Sequence, residues 1–289
     1  MTADARVQGR LAMAWQRRPQ RGLRIIAHRG FRARFPENTR SAFAASLGRS
    51  HMVELDVRLS LDKEVVIHHD DCLSRCSNAA EIGPGLGLDS SRVEQWRLDQ
   101  LRRLDLGSWF SPYPQEAQTI LAGTGSLPSY RPAARESIPT LAEILAWAKL
   151  YRMPLNIELK EQADAAANAL LVRRAIQRVV AANCTELVLF SSFNYDMLRQ
   201  CRSLAPFISR AFLYGGAAPA DLFELLAAID ACACHPDQSR VEAALIQSLV
   251  QKGYAVHVWT VNDCERRRYL TDCGITGMIT DYPSLKGIC

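Results

Sequence analysis

The sequence predicts an α/β fold, a (β/α)8 TIM barrel with an insertion after its second strand. Two observations carry that expectation. From Arg24 onward, eight short apolar runs alternate with amphipathic stretches, and strand–helix alternation of this kind implies a parallel sheet. Eight such units favour a closed barrel over an open, doubly wound sheet.

The expected strands are Arg24–Ala27, Met52–Leu59, Leu155–Leu159, Leu187–Phe190, Ile208–Leu213, Ala231–Cys234, Ala255–Trp259 and Gly277–Ile279. Helical patterns lie between most of them, at Thr39–Leu47, Leu141–Lys149, Ala165–Ala181, Tyr195–Leu204, Asp221–Ala228, Val241–Gln251 and Asp263–Cys273. Asn194 or Ser192 can cap one helix, and Asn262 or Asp263 another. The rhythm breaks over about residues 75–137, which are rich in Gly and Pro. A long insertion after a barrel strand points to function, because the βα loops surround the active site.

The net charge of +5 is confined to residues 1–24, where six arginines face only Asp4. The remaining chain is neutral. Two regions follow: a basic arm over residues 1–22, expected to be a solvated tail, and a barrel over residues 23–289. A nucleic-acid partner is not expected, since that needs a basic face on the fold itself. No run reaches the ~20 apolar residues of a membrane span, and no secretory h-region is evident. The nine scattered cysteines fit reduced thiols in a cytoplasmic protein better than a disulfide framework. Cys232, Cys234 and His235 lack the second ligand pair of a zinc site and read as a buried strand of small side chains.

The chemistry gathers at strand ends. His28-Arg29-Gly30 follows the first strand, and Pro36-Glu37-Asn38-Thr39 opens the first helix. Glu54-Leu55-Asp56 lies within the second strand, His68-His69-Asp70-Asp71 follows a further apolar run, and Asn156-Ile157-Glu158-Leu159-Lys160 ends the third strand. Glu54 and Asp56 are two apart and share a face. Val53, Leu55 and Val57 take the other face and must meet the helices, so the acids point into the barrel. Carboxylates crowded there require a cation or buried hydrogen bonds. With Glu158 they form an oxygen-rich set suited to a hard divalent cation, Mg²⁺ or Ca²⁺. The histidines supply a candidate general acid and base, and Arg29 and Lys160 supply positive charge for a phosphate.

The segment Ile26–Asn78 closely resembles the signature of glycerophosphodiester phosphodiesterases, in the order H-R-G, P-E-N-T, E-x-D and H-D, with I-E-x-K following later at Ile157–Lys160. The similarity extends from about Leu23 to Pro283 through Leu106-Gly107-Ser108-Trp109-Phe110, Ile138-Pro139-Thr140-Leu141, Ser191-Ser192-Phe193, Trp259-Thr260-Val261-Asn262 and Thr280-Asp281. It looks most like the bacterial cytosolic members. The resemblance implies metal-dependent hydrolysis of small glycerophosphodiesters to sn-glycerol 3-phosphate and an alcohol. It implies His28 and His69 as the acid/base pair, and one divalent cation on Glu54, Asp56 and Glu158. It also implies phosphate contacts from Arg29 and Lys160, and a substrate pocket lined by Trp259. The choice of His69 over His68 rests on the alignment of the His-Asp-Asp motif. Two departures stand out. Ala79 replaces a family glycine, which is expected to alter a loop needing positive φ, and Tyr113–Glu136 is longer than in compact relatives. The competing functions are a barrel phospholipase of C or D type and a non-catalytic glycerophosphodiester-binding protein.

Overall fold

The computed structural model describes residues 22–111 and 135–285. Residues 1–21 of the basic arm and most of the Tyr113–Glu136 extension therefore lie outside the described residues.

Eight parallel strands close into a barrel. They are β1 (Arg24–Ala27), β2 (Met52–Leu59), β4 (Leu155–Leu159), β5 (Val188–Ser192), β6 (Ser209–Tyr214), β7 (Ala233–Pro236), β8 (Ala255–Val258) and β9 (Gly277–Thr280). Each pairs with the next, and β1 pairs with both β2 and β9 to complete the ring. The short β3 (Val65–Ile67) folds back antiparallel onto the end of β2. The helices are α1 (Arg40–Ala45), α2 (Ala79–Ile82), α3 (Leu98–Leu101), α4 (Leu141–Tyr151), α5 (Ala165–Ala181), α6 (Tyr195–Leu204), α7 (Leu222–Ala228), α8 (Ala243–Gln251) and α9 (Cys264–Asp272). The expected barrel is present, with every expected strand and barrel helix in place.

Alternation within β2 organises the core. Val53, Leu55 and Val57 pack outward with Leu141, Ile144 and Leu145 of α4 and Leu171, Val172 and Ala175 of α5. Burial of such side chains contributes roughly 1.5–3 kcal/mol each. The opposite face turns into the barrel, where Ile26, Met52, Leu189, Ala211, Ala233 and Ile279 form a separate apolar layer. This layer is the floor on which the inward polar groups stand.

Helix starts follow the capping chemistry of the sequence. Asn194 accepts from Met197 N and Asp263 from Arg266 N, so these are the caps of α6 and α9. Thr140 and Glu143 form a reciprocal capping box on α4. The described part of the insertion builds its own small core from Leu73, Ala79, Val93, Trp96, Leu101 and Leu104, set against Val66 of β3. Ala79 opens α2 and is not among the residues of positive φ. The backbone at Ala79 is helical, so this position does not require positive φ here.

Cys234 and His235 lie on the buried strand β7, as the sequence suggested. Seven described cysteines are free thiols. Cys264 departs from the expectation of reduced thiols, since it is disulfide-bonded. Among the described residues, no helix is long and apolar enough to cross a membrane.

Candidate active site

The site sits at the C-terminal ends of the strands and is a cavity of about 260 Å³. His28, Arg29, Glu54, His69, Glu158, Lys160 and Trp259 all line it. Asp56 lies beside them, its carboxylate within 4.8 Å of those of Glu54 and Glu158. The register explains this grouping. Asp56 of β2 pairs with Glu158 of β4, and Glu54 pairs with Asn156, so the inward side chains of both strands stack on one another. The eight sequence-selected residues are thus brought to one place. His68 is not among them. It is buried, with its Nε2 near the Cys72 carbonyl at 3.3 Å, while its neighbour His69 faces the cavity.

The loop after β1 is shaped for the acids. Arg29 takes positive φ, 52°, a conformation uncommon for non-glycine residues. Its amide thereby donates to Glu54 Oε2 at 2.7 Å. Gly30 follows with φ 81°, and a Cβ there would come within 2.7 Å of the Ala42 carbonyl carbon. Only glycine allows this loop to pack so closely on α1. Asn38, also at positive φ, donates its side-chain amide to Asp56 Oδ2 at 2.8 Å.

The electrostatics are those of charges held away from water. Burial, with Asp56 and Glu158 beside it, pushes the Glu54 carboxyl well above its ordinary range. Burial acts the same way on Asp56, but Arg29, Lys160 and His69, with the hydrogen bond from Asn38, outweigh it and hold that carboxyl low. Lys160 lies 2.6 Å from Glu158 Oε1 and 3.7 Å from Asp56 Oδ1. Burial opposes its charge, yet these two carboxylates raise its pKa above the ordinary lysine value.

Each cavity histidine is oriented by an aspartate. His28 Nδ1 is 2.6 Å from Asp281 Oδ1, and His69 Nδ1 is 2.6 Å from Asp70 Oδ1. Asn262 donates to the second oxygen of Asp281 at 2.8 Å. Burial and the neighbouring Arg29 lower the His28 pKa, while Asp281 partly offsets them. Asp281 itself is brought down to about 2 although burial opposes this, chiefly by His28.

Sequence reasoning missed these aspartates as partners, together with Asn38, Asn156, Phe193, Leu213 and Thr260. Asp281 and Asp70 stood inside quoted motifs, but only the barrel's closure brings Asp281 to a histidine 253 residues away. Phe193 carries no polar signal. It packs edge-on against Trp259 with ring centroids 5.4 Å apart, and with Leu213 and Ile279 it makes the apolar wall of the cavity.

Residues 28–285 match the glycerophosphoryl diester phosphodiesterase family. The chain belongs to this family. It is therefore a phosphoric diester hydrolase of the glycerophosphodiester phosphodiesterase type. A glycerophosphodiester phosphodiesterase of Caldanaerobacter subterraneus subsp. tengcongensis is 28% identical over 263 residues, covering 90% of this chain and 94% of that protein. A human lysophospholipase D is 24% identical, covering 93% and 87% respectively. Among solved structures, a phosphodiesterase of Oleispira antarctica, in complex with the product sn-glycerol-3-phosphate, superposes with a TM-score of 0.72. It is 30% identical and covers 90% of this chain and 93% of its own.

Proposed function

We propose that this chain hydrolyses small glycerophosphodiesters to sn-glycerol 3-phosphate and an alcohol, with one divalent cation and two-histidine acid/base catalysis. The observation that carries this reading is the convergence of both aspartate-oriented histidines and the carboxylate cluster on one cavity. Family membership and the product named for the Oleispira antarctica structure support the choice of substrate.

The donor set fits a hard cation. Glu54, Asp56 and Glu158 offer only oxygen, and Asp56 Oδ1 is buried without a hydrogen-bond partner. These three residues would hold the ion, and Mg²⁺ or Ca²⁺ matches their chemistry. When bound, it supplies charge neutralisation for the phosphodiester. Arg29 and Lys160 bring further positive charge to the same cavity, placed for the phosphate oxygens. Asp281 and Asp70 fix Nδ1 of their histidines as the hydrogen-bonded nitrogen, which leaves Nε2 of each free for proton transfer. One histidine takes the proton of the attacking hydroxyl or water, and the other gives one to the leaving alcohol. Trp259, Phe193, Leu213 and Ile279 shield that event with apolar surface.

A panel of glycerophosphodiesters assayed with Mg²⁺, Ca²⁺ and chelator tests the reading. Turnover is expected with metal and not with chelator, and His28→Ala and His69→Ala are each expected to abolish it with the fold intact. Near-wild-type activity in either variant sinks the assignment of that histidine. Because the wall is apolar and one relative is a lysophospholipase D, a lysophospholipid belongs in the panel. Faster turnover of it than of glycerophosphocholine would move the substrate to that class.

A further inference from the structure

Glu37, the acid of the Pro-Glu-Asn-Thr segment, takes no part in the proposed chemistry, yet it is buried and gathers three arginines. Arg29 reaches its Oε1 at 2.8 Å and Arg32 its Oε2 at 2.7 Å. Arg75 spans both oxygens, at 2.7 and 3.1 Å. Burial alone would raise the Glu37 carboxyl, but the Arg75 hydrogen bond and the three guanidinium charges hold it far below the carboxylate range.

Two of these arginines continue outward to the histidine partners. Arg32 reaches Asp281 Oδ2 at 3.2 Å, on the His28 side. Arg75 Nε reaches Asp70 Oδ2 at 2.6 Å, on the His69 side. The result is an unbroken chain of side chains: His28, Asp281, Arg32, Glu37, Arg75, Asp70, His69. Its two ends are not equally secured. Asp281 is buried and also held by Asn262. Asp70 and His69 are partly exposed, on the segment that follows β3. Besides His69, the Asp70 carboxylate meets Arg75, which leads back to the barrel through Glu37. Arg75 is half-exposed as well, and its buried anchor is Glu37.

We propose that Glu37 is a positioning residue. Through Arg75 and Asp70 it fixes the His69 ring relative to the His28 pair across the cavity. This rests on the assignment of His28 and His69 as the acid and base. The forked geometry of arginine suits the task, since each guanidinium binds two carboxylates in fixed directions. Misplacement of a catalytic ring by about 1 Å can cost about a hundredfold in rate.

The test compares Glu37→Gln, Arg75→Gln and the double variant, using metal-loaded enzyme and glycerophosphocholine. Each single variant is expected to lower kcat by about ten- to a hundredfold. Arg75→Gln, which leaves the Arg29–Glu37 contact in place, should keep KM within about twofold of wild type. Because the groups act in series, the double variant should be no slower than the worse single variant, whereas independent effects would multiply. In ¹⁵N-histidine spectra the Nδ1–H signal of His69 should broaden or vanish in Arg75→Gln while that of His28 persists. A residue that merely supports the fold would lower the melting temperature and leave kcat and that signal in place. If Glu37→Gln does not fold, Arg75→Gln decides alone, and wild-type kcat with an intact His69 signal overturns the proposal. His69→Ala runs beside them. If it stays active, the acid/base reading has failed. If it is inactive while Arg75→Gln is wild type, only the positioning role has failed.

Discussion

Asp56 has one oxygen to spare. Its Oδ2 accepts from Asn38 and lies 3.4 Å from Arg29, while its Oδ1 is buried with no hydrogen bond. Such an atom normally costs about 1–3 kcal/mol; Lys160 Nζ, 3.7 Å from it, offsets part of that cost, and under the proposed function a cation at that oxygen offsets the rest. Asp56→Asn keeps the shape and removes the charge. Metal affinity measured by calorimetry is expected to fall at least about tenfold, with turnover falling in step. The folded state should also lose some stability, because Arg29 and Lys160 lose the charge that holds the Asp56 carboxyl low, although repulsion from Glu54 is relieved. Unchanged affinity for both Mg²⁺ and Ca²⁺ would remove Asp56 from the ligand set.

At the scale of the element, β2 assigns opposite duties to adjacent residues. Leu55, one position from Asp56, is fully buried among α4 and α5 side chains. Leu55→Ala should cost about 2–5 kcal/mol of stability, read from urea unfolding, while folded molecules keep their metal affinity. A variant that unfolds like wild type would contradict the packing of β2. This division of labour was legible in the sequence, because a period of two exposes itself wherever one face is apolar and the other acidic. The barrel strands were legible for a related reason, since each run is short, apolar and followed by a helical pattern. What the sequence hid depends on closure. Asp281 on the far side of the ring meets His28 only because β9 pairs with β1. The choice between His68 and His69 was equally hidden, since β3 ends at Ile67 and strand alternation no longer governs the next residues. Phe193 was silent because an aromatic residue after a strand looks the same whether it seals a cavity or packs under a helix.

At the scale of the whole molecule, the barrel carries a second, unrelated electrostatic load. His235 of β7 and His257 of β8 face each other inside it, Nε2 to Nδ1 at 3.0 Å, both fully buried. Burial lowers the His235 pKa from 6.5 to about 3, and burial with the neighbouring His235 and Arg24 lowers His257 well below 6.5. The His235 ring is neutral in the folded state at pH 5, and the His257 ring is shifted the same way, whereas the unfolded chain binds protons there. Stability therefore rises with pH across this window and is lost as pH falls below about 6.5. For His235 alone the loss between pH 7 and pH 5 is about 2 kcal/mol, with His257 adding in the same direction. Unfolding free energies measured across that range should fall accordingly. The slope should flatten in a His235→Leu, His257→Leu double variant, whose apolar side chains occupy similar volume and do not titrate. A slope that persists undiminished in the double variant would place the acid sensitivity elsewhere in the barrel.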